Sequence, residues 1–222
     1  MLISVHIPKV AGTSFRSLLE QSFQDKLYLD YTDKPLQKNK LARILQIIKS
    51  NYSSSPLLLQ QYHCIHGHFM PAKYYFLKQK SFATWFRDPV ERVISNYYHW
   101  QRNEFKHPKI KNKNCSLEEY SEIEHFQNLY ATYLWGMNLQ QFDFIGITEN
   151  YQNSLTIFEK IYAIHFPSSL ENLNTNPLKK SASYTIDTDL YNHIAELNKK
   201  DVIIYDNAVK MNKALEQKYI LI

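Results

Sequence analysis

The sequence predicts an α/β protein in which a parallel sheet lies between two layers of helices. Short, mostly apolar runs of strand length alternate with longer segments whose apolar residues recur every three or four positions. The run at 82–86 is almost wholly apolar, which is typical of a strand buried on both faces. Because alternating strands and helices build parallel sheets covered by helices, we expect one three-layer α/β domain spanning 1–222.

Each predicted strand is an apolar run bounded by polar or turn-forming residues. The first run ends abruptly at Pro8. The predicted strands are 2–7, 27–31, 61–69, 82–86 and 142–147. Ligands of parallel sheets bind at the carboxyl ends of the strands, so we expect the loops at Lys9, at 66–68 and at Arg87 to face one crevice.

The predicted helices follow from apolar stripes and from capping residues. Residues 40–50 carry an apolar stripe at helical spacing, and Asp88 can cap a helix that has Pro89 at its first position. The predicted helices are 13–23, 40–50, 71–78, 89–102, 116–122, 125–137, 149–164, 187–198 and 201–218. The polar stretches 103–115 and 165–184 are predicted to be loops, and loops this long are usually functional or mobile.

Charge and composition exclude several classes of protein. The net charge of +5, from 26 basic and 21 acidic residues, is too small for a general nucleic-acid binder and suits an anionic ligand. Cys64 and Cys115 are the only cysteines and form no zinc pattern, so we expect free thiols in a reducing compartment. We find no apolar run of membrane-spanning length and no signal peptide. We therefore expect a cytoplasmic protein, or a lumenal domain that has lost an anchor.

The loop from Lys9 to Ser14 joins the first strand to the first helix. It combines a cation, a glycine and two hydroxyls at a point where backbone N–H groups and the positive end of a helix dipole converge. It is not a Walker A loop, because its lysine precedes Gly12 by three positions. The pattern predicts a phosphate site, with an ordinary helix cap at Thr13 or Ser14 as the alternative.

Arg87 and Ser95 form a second candidate anion site. Arg87 leaves the end of a predicted strand, and Ser95 lies about two helical turns later on a similar face. The planar donor fork of arginine suits a phosphate. The alternative is that Arg87 pairs with Glu91 while Ser95 fills a helix surface.

His66 and His68 flank Gly67 near the end of a predicted strand. Strand residues two apart point to the same side, so both imidazoles could reach one cleft. No carboxylate or cysteine is suitably placed beside them for a metal site. A general base is the better use, since imidazole titrates near neutral pH, although a structural role is equally compatible with the pattern.

These three stretches together resemble the membrane-type carbohydrate sulfotransferases, most closely the uronyl 2-O-sulfotransferase branch and its bacterial relatives. The matching segments are Ile7 to Phe15, His66 to His68 and Arg87 to Tyr97, with weaker similarity at 128–136, at 144–149 and at Asn172, Asn174 and Asn176. The resemblance implies a P-loop-NTPase-like sulfotransferase fold and the donor 3′-phosphoadenosine 5′-phosphosulfate. It implies an acceptor hydroxyl on a sugar or polysaccharide.

The resemblance also implies a role for each site residue, and no metal. The donor would contact Lys9, Ala11, Gly12, Thr13, Ser14, Phe15, Arg87 and Ser95. Arg87 and Ser95 would hold its 3′-phosphate, and Lys9 would neutralise charge on the bridging oxygen. His68 would remove the acceptor proton, while His66 would be a second base or hold the acceptor. Competing functions are a nucleotide-dependent phosphotransferase, which would need magnesium ligands near Lys9, and a non-catalytic nucleotide-binding protein.

Overall fold

A computed structural model describes residues 1–33, 35–53, 61–75, 77–103, 110, 114–166 and 184–221. The predicted loops at 103–115 and 165–184 lie largely outside these ranges. Asn172, Asn174 and Asn176 also lie outside the described residues.

Five parallel strands form one sheet, which confirms the predicted fold class. The strands are β1 (Leu2–Val5), β2 (Leu27–Asp30), β3 (Cys64–Gly67), β4 (Ser81–Phe86) and β5 (Phe144–Ile147). Their spatial order is β2-β3-β1-β4-β5, and every neighbouring pair is parallel. Val5 of β1 pairs with Gly67 on one side and with Thr84 on the other, so the chain leaves β1, β3 and β4 at one edge of the sheet.

Helices flank the sheet. They are α1 (Gly12–Phe23), α2 (Lys40–Ser53), α3 (Pro89–Asn103), α4 (Leu117–Ser121), α5 (Leu129–Tyr133), α6 (Tyr151–Tyr162), α7 (Thr188–Leu197) and α8 (Lys199–Tyr219). The predicted cap of α3 is confirmed, because Asp88 Oδ1 accepts a hydrogen bond from the backbone N–H of Glu91 at 2.9 Å. Both cysteines are free and buried.

Two of the predicted helices are wrong in extent. The described residues of the segment predicted at 71–78 form only a 3₁₀ turn, Pro71–Tyr74. The segment predicted at 125–137 is divided into a 3₁₀ turn, Glu124–Phe126, and the short helix α5. The division occurs at Asn128, whose φ of 49° is left-handed and therefore incompatible with a continuous α-helix.

Aromatic side chains fill much of the core between the sheet and its helices. Phe15 of α1 lies 5.1 Å from Trp85 of β4 and 5.0 Å from Phe158 of α6, measured between ring centroids. Phe158 in turn lies 5.0 Å from Phe144 of β5. Phe15 is fully buried, so its place in the core fixes the start of α1 against the end of the sheet.

Candidate functional site

The loop between β1 and α1 has a strained backbone and an open helix end. Lys9 and Ala11 have φ angles of 71° and 65°, a left-handed conformation that non-glycine residues rarely adopt. Ala11 is the N-cap of α1, and no side chain caps the helix. The alternative in which Thr13 or Ser14 is the cap is therefore wrong. The first backbone N–H groups of α1 have no intrahelical partner and can bind an anion.

Gly12 is a glycine because a histidine occupies the space above it. A Cβ atom at Gly12 would lie 1.9 Å from Nε2 of His6, which is too close for any side chain. His6 directly follows β1 and is 9% exposed. The first residue of α1 therefore packs directly against an imidazole.

Cationic side chains converge on the other side of the loop. The pKa of Lys9 is lowered to about 8, mainly by burial and further by the charges of Arg102 and Arg87. The pKa of His99 is lowered by burial and by the charges of Lys9 and Arg102. Like charges this close repel one another, so an anion between them would relieve the repulsion.

Sequence reasoning missed His99 and placed Arg102 outside the site. The signal for both was the spacing from Ser95. Ser95, His99 and Arg102 are separated by four and three positions, which places them on one face of α3. Ser95 itself is 9% exposed.

Arg87 follows β4 and is already engaged by a carboxylate. Its guanidinium lies 2.8 Å from Oε2 of Glu91, and it is positioned over the ring of Tyr184, 5.6 Å from the centroid. The pairing expected in the alternative is thus present. The charge of Arg87 nevertheless lowers the pKa of Lys9, so the same side chain also belongs to the cationic cluster.

His66 lies inside β3 and is 1% exposed. Its Nδ1 atom is 2.9 Å from the Ser4 hydroxyl, while Nε2 is buried without a hydrogen-bond partner among the described residues. Burial lowers the pKa of His66 to about 3, so the ring is neutral at physiological pH. This burial argues against direct contact between His66 and an acceptor.

His68 lies just beyond β3 and is half-buried. Its Nδ1 atom is 2.5 Å from the backbone carbonyl of His6. Because a carbonyl oxygen only accepts hydrogen bonds, Nδ1 carries the proton and Nε2 carries the lone pair. Burial lowers the pKa of His68, which keeps that lone pair available at neutral pH.

Comparisons with known proteins identify the family of the chain. The model of the Sulfotransferase family matches residues 1–206. The chain belongs to the sulfotransferase family. A sulfotransferase from Alicyclobacillus acidocaldarius has a similar structure, with a TM-score of 0.52 over 94% of this chain and 95% of that chain, at 13% identity, which supports the fold. No curated protein matches the chain.

All three predicted stretches lie at one edge of the sheet. Lys9 and Arg87 are electrostatically coupled, and the rings of His66 and His68 lie 5.1 and 4.3 Å from the ring of His6. Sequence reasoning missed His6, although it stands in the segment that directly precedes the loop. Within the described residues, no group of three or more histidines, cysteines and carboxylates could hold a metal ion. The described helices include none that is long and apolar enough to span a membrane.

A buried ion network supports the wall of the site beside His68. Nζ of Lys73 lies 2.5 Å from Oδ2 of Asp30 and 2.8 Å from Oδ1 of Asp33, and the Tyr74 hydroxyl donates to Asp30 at 2.7 Å. Burial opposes ionisation of Asp30, but the hydrogen bonds and charge of Lys73 lower its pKa overall. The network fixes the turn that follows β2 and places Tyr31 against the histidines.

Proposed function

We propose that this sulfotransferase moves a sulfuryl group from 3′-phosphoadenosine 5′-phosphosulfate to a hydroxyl of a carbohydrate acceptor, with His68 as the base. One observation carries the proposal. The hydrogen bond from His68 to the His6 carbonyl leaves Nε2 as a neutral acceptor of protons beside an uncapped helix end. A base of this kind is what activation of a hydroxyl requires.

The residues of the loop fit the phosphosulfate end of the donor. Backbone N–H groups from Gly12 to Ser14 begin a helix with no side-chain cap, and Lys9 adds a positive charge beside them. Arg87 and Ser95 fit the 3′-phosphate, since Arg87 is a cation just before α3 and Ser95 is a hydroxyl in the second turn of that helix. The donor supplies the sulfuryl group for transfer.

Side chains of the protein then accept the proton and stabilise the developing charge. Nε2 of His68 takes the acceptor proton as the acceptor oxygen bonds to sulfur and the bridging oxygen leaves. Lys9 offsets the negative charge that develops on the leaving phosphate. Because His66 is buried and neutral, we assign it to support of the histidine cluster rather than to proton transfer.

The acceptor class rests on the motifs. The histidine pair around Gly67 is the feature shared with the uronyl 2-O branch, and it supports a sugar hydroxyl as the acceptor. Transfer of labelled sulfate from the donor to a panel of uronic acids, hexosamines, polysaccharides and simple alcohols tests this assignment. We expect a labelled sugar product; label found only in non-sugar alcohols would contradict the acceptor class.

Ligand-dependent thermal stabilisation distinguishes the proposed sulfuryl donor from the nucleotide donor of a phosphotransferase. We expect adenosine 3′,5′-bisphosphate to raise the melting temperature and ATP with magnesium to leave it unchanged, because ligands stabilise only the state that they bind. The reverse pattern would favour the phosphotransferase. Binding of the bisphosphate without any turnover on the acceptor panel would favour a non-catalytic protein.

A further inference from the structure

His6 packs against both the loop from Lys9 to Ser14 and His68. Its Nε2 atom lies over Gly12, and its ring centroid is 4.3 Å from that of His68. Its backbone N–H donates to Gly67 at 2.8 Å, and its carbonyl accepts from Nδ1 of His68. The ring of His6 thus lies between the start of α1 and His68, and its backbone is hydrogen-bonded to Gly67 and to His68.

Tyr31 sets the orientation of that ring. The Tyr31 hydroxyl lies 2.8 Å from Nδ1 of His6, and the Tyr31 ring meets the His68 ring edge-on at 4.8 Å. The guanidinium of Arg16 lies over the Tyr31 ring, 5.3 Å from its centroid. Tyr31 follows β2, at the edge of the sheet, so this outer strand supplies the support for the residue after β1 and for the base beyond β3.

We propose that His6, oriented by Tyr31, is a positioning residue whose side chain keeps the His68 imidazole at a fixed place relative to the donor loop, where the His6 carbonyl holds that imidazole in its Nδ1–H form. The expected effect on turnover rests on the proposed function. The expected effect on the His68 ring does not, because it can be measured in the protein without donor or acceptor. A residue that holds a base acts mainly on kcat, because displacement by about 1 Å can cost roughly a hundredfold in rate.

A double-mutant cycle isolates the hydrogen bond between the two residues. Tyr31→Phe removes the hydroxyl and keeps the ring, while His6→Phe keeps a ring over Gly12 and removes the nitrogen that the hydroxyl contacts. We expect each change to lower kcat about tenfold and the double variant to be no worse than either, because both remove the same contact. Affinity for adenosine 3′,5′-bisphosphate, measured by calorimetry, should stay within about twofold of wild type.

Nitrogen chemical shifts of the histidine rings report the tautomer directly and require no acceptor. Wild-type His68 should show a protonated Nδ1, and both variants should show a mixture of tautomers. His6→Asn, which can present a polar atom near the position of Nδ1, should restore part of the lost kcat. Tyr28→Phe is the matched control, since Tyr28 lies in the same strand and its ring packs on Tyr62 instead.

Three outcomes would overturn the proposal: kcat within about twofold of wild type in both single variants, additive losses in the double variant, or an unchanged His68 tautomer. If neither Phe variant folds, the His6→Asn variant and the wild-type chemical shifts still test the proposal. A wild-type His68 that is protonated on Nε2 would contradict the proposal. A wild type that transfers no sulfate would instead defeat the proposed function, while the shifts would still test the positioning.

Discussion

The site has two halves on either side of β1, and they differ in charge. On the β3 side, His6, His66 and His68 are buried or half-buried imidazoles, and burial lowers the pKa of each. On the β4 side, Lys9 and Arg87 are cations whose charges are close enough to interact. Burial favours the uncharged forms of Lys9 and of the three imidazoles, but Lys9, with a pKa of about 8, stays largely charged at neutral pH.

The two halves are also completed in different ways. The histidine half is held by the protein itself, through contacts to Ser4, Tyr31 and the His6 carbonyl. The cationic half has a strained loop, an uncapped helix and cations that repel one another. We infer that the base is preorganised before any ligand binds, whereas the cationic half reaches its most stable state only with an anion.

Loss of the base should give the largest effect and should leave the cationic half intact. We expect His68→Ala to lower turnover by about 10²- to 10⁴-fold, because it removes the proton acceptor. Affinity for adenosine 3′,5′-bisphosphate, measured by calorimetry, should remain near that of wild type. His63→Ala, at an exposed histidine just before β3, is the control. Near-wild-type turnover of His68→Ala would exclude His68 as the base.

Loss of a cation should give the opposite pattern, with weaker binding of the bisphosphate. Hydrogen bonds to charged groups contribute about 1.5–3 kcal/mol, so Arg87→Ala should weaken that affinity by roughly ten- to a hundredfold. Glu91 loses its ion pair with Arg87 in this variant, and its negative charge would repel the ligand. The double variant Arg87→Ala with Glu91→Gln removes that repulsion. Unchanged calorimetric affinity in both variants would show that Arg87 contacts no phosphate.

The charge of Lys9 should make donor binding dependent on pH. Its pKa of about 8 in the free protein should rise when an anion binds, so binding takes up a proton above that value. Affinity for the bisphosphate is therefore fully present well below pH 8 and should fall about tenfold between about pH 7 and pH 9. Lys9→Arg stays charged throughout and should abolish this dependence. The same dependence of affinity on pH in both proteins would assign the titration to another group.

The sequence predicted the strands and the three loops well, because these depend on local patterns. Apolar runs located all five strands, and the order of motifs along the chain located Lys9, His68 and Arg87. It could not predict the interior arrangement of the histidines. That arrangement depends on register: Ser4 pairs with His66 across β1 and β3, which brings a hydroxyl to a buried imidazole.

Turns and long-range approaches were the least predictable features. The two glycines of the site show why, since both are required by distant parts of the chain. Gly67 has no room for a Cβ atom because the backbone carbonyl of Asp30 would lie 1.8 Å away, and Gly12 has none because of His6. A sequence shows that glycine is present at such positions, but the neighbour that requires it is known only from the fold.

The strain in the cationic half should be measurable as stability, and it gives the smallest expected effect. Ala11 has a left-handed φ of 65° at the N-cap of α1, a conformation that glycine adopts without a Cβ clash. We expect Ala11→Gly to raise the free energy of unfolding in urea by about 0.5 kcal/mol, because relief of strain slightly outweighs the extra entropy of the unfolded chain. Ala195→Gly, inside α7, should instead lower it by about 0.5–1 kcal/mol. If both changes destabilise the protein equally, the loop stores no strain, and its open helix end alone distinguishes it from the histidine half.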